Sequence, residues 1–201
     1  MAVSAPAWAR PYAPVQARAD ASVALVAQSA VGFAMLALQG AFGPPLTVPV
    51  RTPVALVAAA AVGGGTLLAL LGFLGAAIAV PMWIHRCYRN LPALGSRGHL
   101  SPAWAAAGWF VPIANLALPY LAVREVWIAS TPRGRLTAAL VAAWWAVWLA
   151  AWALRLANGL LPWPGYQEIL FATLMAISGA LFIAIVHLIT RGQRERAAAL
   201  A

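Results

Sequence analysis

The stretch GWFVPIANLALPY, residues 108–120, decides how this chain folds. Its apolar content belongs in a membrane, yet Pro112, Asn115 and Pro119 interrupt it. Pro112 removes a backbone donor and disfavours helical geometry at Val111, while the Asn115 amide can bond exposed backbone. Backbone broken in this way survives at membrane depth only against protein or water. Whether residues 101–130 cross the bilayer therefore sets the number of spans and the side on which every later residue lies.

Composition identifies the solvent. Of 201 residues, 64% are hydrophobic and 8% are charged, against roughly 25% charged in a soluble domain. Mean hydropathy is +0.84, and apart from its ends and short connections the chain has almost no polar residues to cover a soluble surface. Four apolar runs, residues 22–42, 60–84, 136–156 and 168–190, each approach the ~20 residues that a ~30 Å hydrocarbon core demands. Residues 1–21, with Trp8, Pro6, Pro11 and Pro14, lack the apolar core of a signal peptide and read as a disordered cytoplasmic tail. Residues 191–201 read as a second cytoplasmic tail.

Within the runs, Gln28, Ser29 and Gln39 are expected to bond neighbouring helices, and Gly63, Gly64 and Gly65 to mark close packing or a kink. The run containing them starts near Pro53 and exceeds a perpendicular span, so it either tilts or begins as an interfacial piece. Trp144, Trp145, Trp148 and Trp152 share one helix face and are read as packing surface. Ala172, Ala176, Ala180 and Ala184 form a ridge along which a helix can approach. Trp163 and Tyr166 in the turn over residues 158–167 read as interfacial anchors.

Arginine placement answers the opening question. All 13 basic residues are arginine. If the N-terminus is cytoplasmic and residues 101–130 do not cross, Arg10, Arg18, Arg86, Arg89, Arg97, Arg124, Arg133, Arg135, Arg191, Arg194 and Arg196 lie inside, and only Arg51 and Arg155 lie outside. If the segment crosses, Arg133, Arg135, Arg191, Arg194 and Arg196 move outside and the bias disappears, which the positive-inside rule disfavours. Ser101 and Pro102 are a cap and first-turn pair for a short helix over residues 101–110, residues 112–115 form a turn, and residues 116–129 return as a second helix. The expected fold is an all-α integral membrane protein. It has four transmembrane helices plus one Pro-broken re-entrant or interfacial helical hairpin, in a single membrane domain over residues 22–190.

Chemistry-bearing groups are scarce. The carboxylates are Asp20, Glu125, Glu168 and Glu195. No zinc-protease motif, nucleophile elbow or intramembrane aspartate pair is present, and the triple glycine lacks the Lys-Ser/Thr of a phosphate loop. Cys87 is single, without a partner for a disulfide, redox or metal motif. The sequence therefore points away from an enzyme, a cofactor or a metal; were there a catalytic site, it would be His85, His99 and Glu125. The net charge of +9 is read as the arginine excess of inner loops, because no basic stripe with interleaved aromatics lies outside the apolar runs, and nucleic acid is not an expected partner.

The string WIHRCYRNLPALGSRGHLSPAWAAAGWFVPIANLALPYLAVREVWIAS, residues 83–130, carries a resemblance. Arg86, Asn90 and Leu91, then Leu94-Gly95, Ser101-Pro102, Trp104, Gly108-Trp109, Pro112-Ile113, Asn115-Leu116, Pro119, and the closing Glu125, Trp127, Ala129 and Ser130 are similar in kind and order to the signature of the actinobacterial multi-pass membrane family catalogued as domain of unknown function 4328. Two positions depart from that pattern: Phe110 follows Trp109 where the family has a second Trp, and Leu118 stands where a basic residue is expected. The resemblance implies an architecture extending over residues 22–190 and brings no established activity.

The reading that results is a non-enzymatic scaffold, assembly or sensor subunit in a bacterial plasma membrane, binding a protein partner, a second copy or anionic lipid at the inner face. Arg86, Arg89, Arg97, Arg124, Arg133 and Arg135 would form a collar for lipid headgroups, each worth about 1 kcal/mol near an anionic surface. Glu125 is expected to pair with Arg86 or Arg89. The signature residues expected to bind the partner, or to pin the broken segment, are Arg86, Arg89, Asn90, Trp104, Trp109, Pro112, Asn115, Pro119, Arg124, Glu125 and Trp127. The other reading is an oligomeric channel or passive transporter for a small polar solute, lined by the broken segment near Asn115.

Overall fold

The computed structural model describes residues 11–43, 52–131, 137–160 and 166–200. Among these, every regular element is helical. The order is α1 (Gln16–Phe42), α2 (Pro53–Asn90), α3 (Pro102–Ala107), α4 (Leu118–Ser130), α5 (Ala139–Leu160) and α6 (Gln167–Leu200), with 3-10 turns at Pro92–Leu94 and Ala114–Leu116. Four helices, α1, α2, α5 and α6, are long and apolar enough to cross a membrane. The all-α class and the four spans expected from the sequence are therefore present. Arg10, Arg51, Arg133, Arg135 and Trp163 lie outside the described residues.

Helix ends differ from the apolar limits because helix continues wherever backbone bonds and packing favour it. α1 begins at Gln16, inside the region expected to be a tail, and Val15, Ala19 and Ser22 are buried. α6 continues to Leu200 through residues expected to be the other tail, with Gly192 and Gln193 buried. α2 is one helix from Pro53, opened by Thr52, whose Oγ1 accepts from Ala55 N at 3.2 Å, and it runs unbroken through Gly63, Gly64, Gly65 and Pro81. Helix is continuous from its start through its apolar span. A first-turn proline has no orphan donor to lose, which accounts for Pro53; interior Pro81 is of the kind that helices in membranes tolerate.

The described chain divides into two compact units. The unit formed by residues 23–76 and 143–183 is held by small residues and aromatics. A Cβ at Gly32 would overlap the backbone of Gly65 and Ala69, and one at Gly72 would overlap the backbone of Leu25 and Ser29. Ser29 Oγ donates to Ala69 O at 3.1 Å. Such contacts replace a hydrophobic drive that lipid cannot supply. On α6 a close approach runs through Gly179, against Ala30; of the expected alanine ridge, Ala172 is buried, Ala176 and Ala184 are half-buried and Ala180 is exposed. Trp145 stacks on Trp148 at 4.6 Å, Trp144 lies 4.8 Å from Phe182, and Trp152 meets Phe171 edge-on at 6.0 Å. The tryptophan face is packing surface, as expected.

The other unit, residues 1–22, 77–142 and 184–201, contains the broken segment. Its core is Trp83, Ile84, Cys87, Leu91 and Leu94 with Val123, Val126, Ile185, Val186 and Ile189. Ser101 caps α3, accepting from Trp104 N at 3.2 Å, with Pro102 in the first turn. α3 stops at Ala107, earlier than expected: the N–H groups of Trp109 and Phe110 bond three residues back, to Ala106 and Ala107, which tightens the chain before Pro112. Gly108 lies against Leu118, so α3 and α4 fold as a helical hairpin. Pro119 starts α4 rather than breaking a helix.

Candidate functional site

The last turns of α2 carry His85, Arg86, Tyr88, Arg89 and Asn90. After them the chain turns through Pro92–Leu94 and closes at Gly95, whose φ of 70° is left-handed. That conformation costs a side-chain-bearing residue and suits glycine, which explains the Leu94-Gly95 pair. Residues 96–101 then lie back along α2. Gly98 rests on the Tyr88 ring, where a Cβ would overlap ring atoms.

Glu125 on α4 fastens this loop. Its Oε2 accepts from the Tyr88 hydroxyl and from His99 N at 3.0 Å, and its Oε1 lies 2.9 Å from His99 Nδ1. The Glu125 side chain is 18% exposed and that of His99 is 91% exposed. The carboxylate thus joins α2, the loop and α4 through three groups. The expected pairing of Glu125 with Arg86 or Arg89 is not formed: Tyr88 and His99 reach it first, one through its hydroxyl and the other through both backbone and ring.

Between α2 and this loop lies a cleft of about 610 Å³. His85, Tyr88 and Arg89 line one side, and Arg97, Leu100, Ser101, Pro102 and Ala103 line the other. The lining contains two arginines and a histidine and no carboxylate. Its geometry suits an anion whose remainder is apolar.

The other signature residues differ in burial and in bonding. Asn90 is buried: its Nδ2 donates to Ala13 O at 2.8 Å and Gln193 Oε1 at 3.2 Å, and its Oδ1 accepts from Ala13 N at 3.2 Å. Trp127 is buried, with Nε1 donating to Thr137 Oγ1 at 3.1 Å. Pro119 is buried, Arg86, Trp109 and Arg124 are half-buried, and Pro112 is exposed. Trp104 is exposed, together with Phe110, Val111, Ile113 and Leu116, giving the hairpin an apolar outer face. Asn115 Oδ1 is shut from solvent and has no hydrogen-bond partner.

Sequence reading missed Tyr88 and Gln193. The signal for Tyr88 was present in principle, because a phenol near a membrane interface needs a polar partner and Glu125 is the one carboxylate in the signature. Gln193 carried none, sitting where a tail was expected. His85, His99 and Glu125, grouped only as a hypothetical catalytic set, do gather here: His99 on Glu125, and His85 in the cleft wall.

A family model described as Domain of unknown function (DUF4328) matches residues 47–191. No curated protein and no solved structure matches the chain. The matched range covers α2 to α5, the whole broken segment and α6 as far as Arg191, leaving α1 before it. The chain belongs to the DUF4328 family.

Proposed function

We propose that this DUF4328 member is a non-enzymatic multi-pass membrane protein that binds anionic lipid or a protein partner at the inner face of a bacterial plasma membrane, as a scaffold, assembly or sensor subunit. The observation that carries the reading is a juxtaposition within one unit. The segment that exposes Trp104, Phe110, Ile113 and Leu116 to its surroundings also walls a cleft containing Arg89 and Arg97. Apolar residues facing lipid beside guanidinium groups at headgroup depth are the pattern of a membrane-interface binding surface. In this reading the hairpin dips into the inner leaflet, both termini are cytoplasmic, and Arg86 and Arg124 extend the cationic surface.

The test is lipid association of the purified protein. In nanodiscs of mixed headgroups, mass spectrometry of the retained annulus should show enrichment of phosphatidylglycerol over phosphatidylcholine. Equal retention of both would overturn the lipid form of the proposal, and a defined co-purifying protein would then support the partner form.

One observation favours a second reading, a passive channel. The partnerless Asn115 oxygen at the tip of the break is a group that a small polar solute could engage. Solute flux through proteoliposomes, lost on Asn115→Leu, is the outcome this reading requires.

A further inference from the structure

We infer that the cleft between the end of α2 and residues 97–103 is a phosphate-ester site, in which Arg89 and Arg97 hold the phosphate and Leu100, Pro102 and Ala103 cover an apolar remainder. The inference rests on the proposed membrane-interface role and names the ligand class and the residues that would serve it.

Four features converge. The lining is cationic without an internal carboxylate, and both oxygen atoms of Glu125 are already taken by Tyr88 and His99. The cations are arginines, whose planar fork matches two phosphate oxygens at once, where lysine offers a point charge. A volume of about 610 Å³ falls within the roughly 300–1,000 Å³ of small-molecule sites and far exceeds the ~30 Å³ of one water. Beside Arg97 and Ser101, the outer wall also presents Leu100, Pro102 and Ala103, an apolar surface that a free inorganic ion does not need and a glycerol ester uses.

Position supplies the depth. His85, in the wall, directly follows the apolar run of residues 60–84, so the cleft sits where a bilayer changes from hydrocarbon to headgroup. The loop that forms the outer wall is held by the Glu125 contacts to Tyr88 and His99 and by the tight fit of Gly98 on the Tyr88 ring. The wall is thus in place before a ligand arrives, which lowers the ordering cost of binding.

The test is a titration of the detergent-solubilised full chain, read by native mass spectrometry. Three probes are used: dioctanoyl phosphatidylglycerol, inorganic phosphate, and dioctanoylglycerol, which lacks phosphate. Saturable binding of the phospholipid is expected, with dioctanoylglycerol much weaker. Replacing both cleft arginines, Arg89→Ala with Arg97→Ala, should weaken the phospholipid by about thirtyfold. Arg155→Ala, which removes the ion pair with Glu168 at 2.9 Å, should leave binding unchanged. If the double alanine variant does not fold, the double lysine variant, which keeps the charge and loses the fork, should still bind less tightly than the native chain.

Phospholipid binding unaltered in the arginine variants, or matched by dioctanoylglycerol, overturns the site. Anionic-lipid binding that depends on Arg86 and Arg124 instead would remove this site and leave the broader proposal standing. Inorganic phosphate bound through Arg89 and Arg97, with no phospholipid binding, would keep the site and remove the lipid role.

Discussion

Asn90 at the end of α2 and Gln193 on α6 share a buried hydrogen bond, Asn90 Nδ2 donating to Gln193 Oε1 at 3.2 Å. Gln193 Nε2 in turn donates to Cys87 O at 3.2 Å, and Asn90 exchanges two bonds with the Ala13 backbone. One amide pair thus joins the stretch before α1, the end of α2 and the extension of α6. Buried polar pairs of this kind are costly to break singly, because the remaining group keeps its desolvation penalty.

Asn90→Leu should therefore destabilise the protein by about 2–4 kcal/mol, since it strands both the Gln193 amide and the Ala13 backbone. The double variant Asn90→Leu/Gln193→Leu should lose clearly less than the two single losses combined. Denaturant unfolding in a constant detergent gives the cycle, and strict additivity would argue against a coupled pair.

Removing the Glu125 carboxylate should loosen the loop before it unfolds the bundle. With Glu125→Ala, the His99 amide loses its acceptor, and its hydrogen exchange should accelerate by about tenfold, the equivalent of one ordinary hydrogen bond. Glu125→Gln keeps an acceptor oxygen and should accelerate exchange less. Unchanged exchange at residues 97–100 in the alanine variant would show that the loop is held by other contacts.

The α1–α2 contact predicts opposite signs for two glycines. Gly72→Val places a side chain into the backbone of Ser29 and Leu25 and should cost about 3 kcal/mol or more. Gly63 has open space around its Cβ position, so Gly63→Ala should be neutral or stabilise by up to about 1 kcal/mol through helix propensity. Thermal unfolding of both variants in one detergent compares them directly.

Topology follows from the same folding of the broken segment. In a Cys87→Ala background, Ser96→Cys and Arg133→Cys should react with a membrane-impermeant maleimide from the same side of the membrane, because α3 packs against α4 and no helix within residues 101–130 is long and apolar enough to cross. Labelling from opposite sides would require the segment to cross.

Much of this architecture is legible in the residues alone. Run lengths near the thickness of a hydrocarbon core make four spans, and the arginine distribution argues that the stretch around Pro112 does not add a fifth. Local rules also place the Ser101-Pro102 helix start, because a cap and a first-turn proline act within one turn of chain. The resemblance carried by residues 83–130 holds for the same reason: unusual residues in fixed order are a property of sequence.

What only the tertiary structure decided is which groups meet. Nothing local distinguishes Tyr88 and His99 from Arg86 and Arg89 as partners for Glu125, since all lie in one short stretch and only the return of residues 96–101 along α2 selects among them. Gly179 lies against Ala30 of α1 while Ala180 beside it is exposed, because helix rotation, set by packing, decides which small residues face a neighbour. Gln193 looked like part of a polar tail until Asn90 was found beside it, a pairing across 103 positions that no periodicity encodes. Pattern within a helix is written in the sequence at short range; the choice of partners between helices depends on how they pack, and the cleft at Arg89 and Arg97 exists only through that choice.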